Sequence, residues 1–129
     1  METKYQWTLP TSIFFCVSLF VILLDQITKY LVRQEIPLGT SLPILDNLIS
    51  LTHTTNTGAS FSLFTEYSFL LGILAGIVIA AIVLFYKKIP TNYRLPFALI
   101  LGGAVGNLID RILFGTVTDF IDFHFWPVF

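Results

Sequence analysis

Apolar residues fill three long stretches of this chain, and polar residues gather between them and at their ends. Leu9 to Leu24 carries no charge until Asp25-Gln26-Ile27-Thr28-Lys29 breaks the run. Tyr67 to Tyr86 is also uncharged, and at 1.5 Å per residue it reaches about 30 Å, the thickness of a bilayer core. Leu95 to Ile109 is shorter, and it spans together with Ile112 to Phe114 provided that Asp110 and Arg111 face protein or water. The pattern predicts spans over about 9–31, 67–86 and 95–113, a short loop at 87–94 and two more polar segments at 32–66 and 114–129.

Those two segments read as extended structure. Leu48 to Thr55 is rich in β-branched residues and follows the turn signals Pro43 and Asp46-Asn47. A second extended stretch starts at Gly115. In strand register Val117, Asp119, Ile121, Phe123 and Phe125 share one face, and Thr116, Thr118, Asp122 and His124 share the other. Asp119 is therefore expected among apolar neighbours, where desolvation would raise its pKa.

Composition agrees with the apolar pattern. The chain is 55% hydrophobic and only 12% charged, about half the charged share of an ordinary soluble domain. The fold class predicted is an all-α integral membrane protein with three transmembrane helices and a small extracytoplasmic β element, the whole of 1–129 forming a single membrane domain. A signal-peptide reading of the first run fails, because no small-residue cleavage site follows it and two more spans come later. The net charge of −1 offers no basic field for nucleic acid. Cys16 is the one cysteine and has no partner for an internal disulfide.

Charge asymmetry orients the spans. Lys87, Lys88 and Arg94 crowd a short loop that contains no acid, so 87–94 and the N-terminus are expected in the cytoplasm and 32–66 and 114–129 outside. Lys29 and Arg33 then lie on the outer side, a mild conflict that Glu35, Asp46 and Glu66 partly offset.

The candidate chemistry sits at the end of the third run. Gly103, Asn107, Asp110 and Arg111 fall along one helical face, beside a small-residue pair of Gly102 and Gly106; Gly72 and Gly76 form a similar pair in the preceding span. Ionisable residues in a membrane helix are costly and mark function. Two carboxylates held close can share one proton and activate a water. An ion pair of Asp110 and Arg111 that merely closes a helix end explains those two residues equally well. His53 and His124 are isolated histidines without ligand partners at a convincing spacing, so no metal and no cofactor is expected.

Four boxes in order carry a resemblance to a known family. Asp25-Gln26-Ile27-Thr28-Lys29 resembles D-Q-x-T-K, and Asn56-Thr57-Gly58-Ala59-Ser60-Phe61 resembles N-x-G-A-A-F with Ser60 in place of the second alanine. Gly106-Asn107-Leu108-Ile109-Asp110-Arg111 resembles G-N-x-x-D-R, and Val117-Thr118-Asp119-Phe120 resembles V-x-D-F. Over nearly its whole length the chain resembles lipoprotein signal peptidase, or signal peptidase II. The resemblance implies a four-span aspartic endopeptidase that removes signal peptides from prolipoproteins just before a lipid-modified cysteine. It implies Asp119 as one catalytic aspartate, with Asn56, Asn107, Asp110, Arg111 and Asp25 supporting substrate or site. It implies lipid-modified prolipoprotein signal peptides and membrane lipid as partners, action as a monomer, and a multi-pass place in the bacterial cytoplasmic (inner) membrane with the active site facing outward.

The family's second aspartate lies in an F-N-x-A-D box at the start of a fourth span. Trp126-Pro127-Val128-Phe129 resembles the approach to that box, with Phe129 as its first residue. The expectation is therefore a truncated chain with one aspartate of the pair, inactive by itself. The alternative is a non-enzymatic membrane protein that keeps the boxes without the chemistry.

Overall fold

The computed structural model describes residues 9–45, 48–56 and 68–123, the side chains of Asn56, Asp122 and Phe123 excepted. Three long helices carry a small sheet at one end. Helix α1 runs Thr11–Glu35, α2 runs Ser68–Phe85 and α3 runs Arg94–Phe114. Strands β1 (Ser41–Leu45) and β2 (Ile49–Asn56) lie between α1 and α2, and β3 (Val117–Phe123) follows α3. Each of the three helical segments is long and apolar enough to cross a membrane.

Local chemistry explains the boundaries. Helix α1 starts after Pro10 and ends at Ile36, which is extended, as a residue before a proline (here Pro37) prefers to be. Pro96 sits in the first turn of α3, where its missing N–H costs nothing. Gly115 stops α3 in the left-handed conformation, φ 73°, with its N–H donating to the Arg111 carbonyl at 3.0 Å. Two short 3-10 turns, Tyr86–Lys88 and Thr91–Tyr93, make the tight reversal from α2 to α3.

Helix α3 is central, packing on both α1 and α2. The apolar core lies at the α2–α3 turn, where Phe14, Ile82, Tyr86, Ala98 and Leu101 meet. Phe14, Phe15 and Tyr86 pack ring against ring there. The hydroxyls of Thr11 and Tyr86 share a hydrogen bond. Arg94 donates to the carbonyls of Leu9 and Ile89, tying the start of α1 to the loop. Since the starts of α1 and α3 meet here, the two helices run parallel and α2 runs against them.

Close approach of α1 and α3 depends on Gly102 and Gly106. A Cβ on Gly102 would lie 2.5 Å from the Val21 Cβ and 2.8 Å from the Ser18 carbonyl oxygen; one on Gly106 would lie 2.3 Å from an Asp25 carboxylate oxygen. Ser18 adds a hydroxyl bond across the same seam, to the Ala98 carbonyl at 2.9 Å. The Gly72 and Gly76 pair makes no such approach: Gly76 meets nothing within 4 Å and Gly72 only side-chain atoms at 3.8 Å and beyond.

The sheet is antiparallel with order β1-β2-β3. Strand β1 departs from the sequence reading, which took Pro43 as a turn signal. Pro43 instead pairs with Ser50, and the ladder slips just after it. An edge strand tolerates proline because one side of its ladder has no partner to lose.

Candidate active site

The C-terminal turns of α1 present Asp25, Lys29 and Arg33 four residues apart, hence on one face. That face meets Gly106, Asn107 and Asp110 of α3. The Lys29 ammonium lies 3.0 Å from Asp25 Oδ2 and 3.2 Å from Asp110 Oδ2, and it donates to Asn107 Oδ1 at 2.9 Å. The Gln26 amide donates to Asp25 Oδ2 and the Gly106 carbonyl, both at 3.0 Å, and to Asp110 Oδ1 at 3.2 Å. Lys29 is 2% exposed and Asp110 0%. Burying charges in this way is tolerable only because each is paired and hydrogen-bonded.

Asp110 also reaches out of the helical bundle. Its Oδ2 accepts the Thr118 backbone N–H at 2.9 Å. The Arg33 guanidinium donates to Thr118 Oγ1 at 2.9 Å, lies 3.7 Å from Asp110 Oδ1 and covers the Phe114 ring at 4.4 Å. Thr118 is buried, and the next residue along β3 is Asp119.

Asp119 is exposed. The expected desolvation of its carboxyl among apolar neighbours is therefore not what the structure holds. Val117 on the same strand face is buried, but Ile121 is 53% exposed, so the face opens out at Asp119. Arg111 turns away from the α1 seam, its stem passing α2 at Gly72, and feels the charges of both Asp110 and Asp119.

The sequence pattern described as Signal peptidase (SPase) II matches residues 17–129. The chain belongs to the signal peptidase II family. It is 41% identical over 117 residues to a lipoprotein signal peptidase of Halothermothrix orenii, covering 89% of this chain and 81% of that one. It is 41% identical over 126 residues to one of Nostoc punctiforme, covering 94% and 80%. A solved bacterial membrane enzyme superposes with TM-score 0.85 at 28% identity, over 95% of this chain and 79% of that one. The match to a peptidase family, together with named relatives, favours an enzyme over a non-enzymatic membrane protein.

Within this signal peptidase II fold the sequence-picked residues separate into two groups. Asp25, Asn107 and Asp110 form an internal knot that joins α1, α3 and β3. Asn107 spends its side-chain oxygen on Lys29, so that atom is not turned to a ligand. Arg111 and Asp119 face the other way. The simple Asp110–Arg111 helix-end pair is not the arrangement: Asp110 bonds chiefly to α1 and β3. Asn56 closes β2 opposite Val117; its side chain, the rest of its box at 57–61, the Asp122 side chain and His124 lie outside the described residues. His53 is buried, with Nδ1 against the Ile36 carbonyl at 2.6 Å, a structural tie between β2 and the end of α1.

The sequence reading missed Gln26, Lys29, Arg33 and Thr118 as site-forming residues. The fourfold spacing of Asp25, Lys29 and Arg33 was the available signal. A charged face on an otherwise apolar helix requires an equally polar partner, and among the three apolar runs Asn107 and Asp110 of the third offer one.

Proposed function

We propose that this protein is an aspartic endopeptidase of the bacterial cytoplasmic membrane, acting as a monomer on lipid-modified prolipoproteins and cutting before the modified cysteine. Its active site faces outward, and Asp119 is one of its two catalytic carboxylates. The observation that carries this reading is Asp119 itself: an exposed carboxylate placed beside a residue pinned at two atoms, with Arg111 in electrostatic reach.

The chemistry needs a water at the membrane surface. One ionised carboxylate takes the water's proton while a protonated partner polarises the peptide carbonyl. Two carboxylates close together hold one proton between them, which supplies that state. Asp110 does not serve as the partner. Its two oxygens are taken by Lys29, Gln26, Arg33 and the Thr118 N–H, and solvent has no access to it. Asp110, Asn107 and Asp25 instead hold the wall that carries Asp119. In this reading Arg111 and Asn56 hydrogen-bond an extended substrate.

The test uses the protein reconstituted in lipid, given a precursor with and without the diacylglyceryl group on its cysteine. Cleavage of the modified precursor alone, at the bond preceding that cysteine, is expected. Equal cleavage of both precursors contradicts the substrate assignment.

A further inference from the structure

Arg33 is a charge that the sequence reading left in conflict with the orientation of the spans, and the family boxes do not include it. Its position is specific. It projects from the last turns of α1, its guanidinium lies over Phe114 at the end of α3, 4.4 Å from the ring centre, and its shortest polar contact is not to a carboxylate but to Thr118 Oγ1, at 2.9 Å against 3.7 Å to Asp110. Asp110 already holds Lys29, Gln26 and the Thr118 N–H at 3.2 Å or less. Arg33 therefore adds more to Thr118 than to Asp110.

We infer that Arg33 is a positioning residue for the peptidase reaction: it fixes the rotation of β3 at Thr118, and with it the direction in which the Asp119 carboxylate points. Successive side chains on a strand face opposite ways. Holding Thr118 by its N–H through Asp110 and by its hydroxyl through Arg33 leaves one rotation of the strand at that point, which turns Thr118 inward and Asp119 outward. Without the hydroxyl tether, Thr118 is held only by its N–H and by the ladder with β2, which slips between Thr54 and Leu51. A planar guanidinium can stack on the Phe114 ring and present an in-plane N–H to Thr118 at once, which an ammonium on a flexible stem cannot.

The inference rests on Asp119 as a catalytic carboxylate, and the experiment separates the two claims. A competing account is that Arg33 only balances charge, since Asp25 and Asp110 face Lys29 and Arg33 two against two. Three variants of the protein in lipid distinguish them: Arg33→Lys, Arg33→Met and Thr118→Val. Two readouts are taken, amide hydrogen exchange over residues 117–121 and the kinetics of precursor cleavage. Arg33→Lys, which keeps the charge, is expected to melt like the parent, yet to exchange β3 amides roughly tenfold faster, the scale of one lost hydrogen bond to a charged group. Its kcat should fall about ten- to hundredfold with KM unchanged, as for a displaced catalytic group. Thr118→Val should behave the same way, and adding Arg33→Lys to it should cost little more, since both remove the one contact between Arg33 and Thr118. Full rescue of kcat by Arg33→Lys, unchanged β3 exchange in the Arg33 variants, or additive losses in the double variant overturns the inference. The exchange result does not depend on what the protein cleaves. Faster exchange in β3 with cleavage that survives Asp119→Asn would place the failure in the catalytic assignment.

Discussion

Lys29 shows how a charge in an apolar helix is accommodated. Its ammonium meets two carboxylates and an amide oxygen within 3.2 Å, and water does not reach it. Removing it leaves Asp25 without its cation and Asp110 with only Arg33, at 3.7 Å. Lys29→Met is expected to destabilise the protein by about 3–5 kcal/mol, read as a lowered melting temperature in detergent and a loss of membrane accumulation. The same knot explains which residues the sequence made legible. Asp110 and Asn107 stood out because polarity in an apolar run demands a reason. Of their partners on α1 Asp25 was legible through its box, but Lys29 and Arg33 were not, because they also read as ordinary charges at the edge of a membrane span. The exposure of Asp119 was not legible either, since strand alternation assigns a face but not what covers it.

At the scale of elements, the parallel seam of α1 and α3 is set by two glycines that allow near backbone contact. Gly102 and its neighbour Gly103 give an internal contrast. A methyl on Gly102 collides with Val21 and the Ser18 backbone, whereas one on Gly103 meets nothing within 4 Å. Gly102→Ala is expected to cost about 1–3 kcal/mol, the usual range for overpacking. Gly103→Ala should be neutral or stabilising, because alanine is the better helix former. Thermal melting of the two variants side by side checks this, and equal destabilisation would contradict the seam. The small-residue spacing was visible in the sequence for both Gly102/Gly106 and Gly72/Gly76, but spacing alone does not say which helix lies against it. The edge strand β1 was hidden for a related reason. Pro43 is a turn residue by propensity, and only the lack of a second strand neighbour among the described residues makes it acceptable in a ladder.

For the whole molecule, the apolar runs and their loops fixed the fold class, because three membrane-length helices leave few arrangements and the polar ends must meet one another. The basic turn of Lys87, Lys88 and Arg94 lies at the opposite end from the sheet, and the conflicting cations Lys29 and Arg33 are taken up inside the protein. Their charge is matched within the fold, so the loop at 87–94 is left to decide orientation. With Cys16 replaced by serine, a cysteine placed at Thr40 should be modified by an impermeant reagent from outside and one at Thr91 should not. The opposite pattern would reverse the proposed orientation. The central claim is that Asp119 carries the proteolytic chemistry, and cleavage of a lipid-modified precursor by the Asp119→Asn protein tests it most directly. The carboxylate is exposed, so the amide should leave folding and membrane accumulation unchanged. Cleavage should fall by about two to four orders of magnitude, the contribution of a general acid–base group. An Asp119→Asn protein that accumulates normally and cuts at the parental rate would contradict the account.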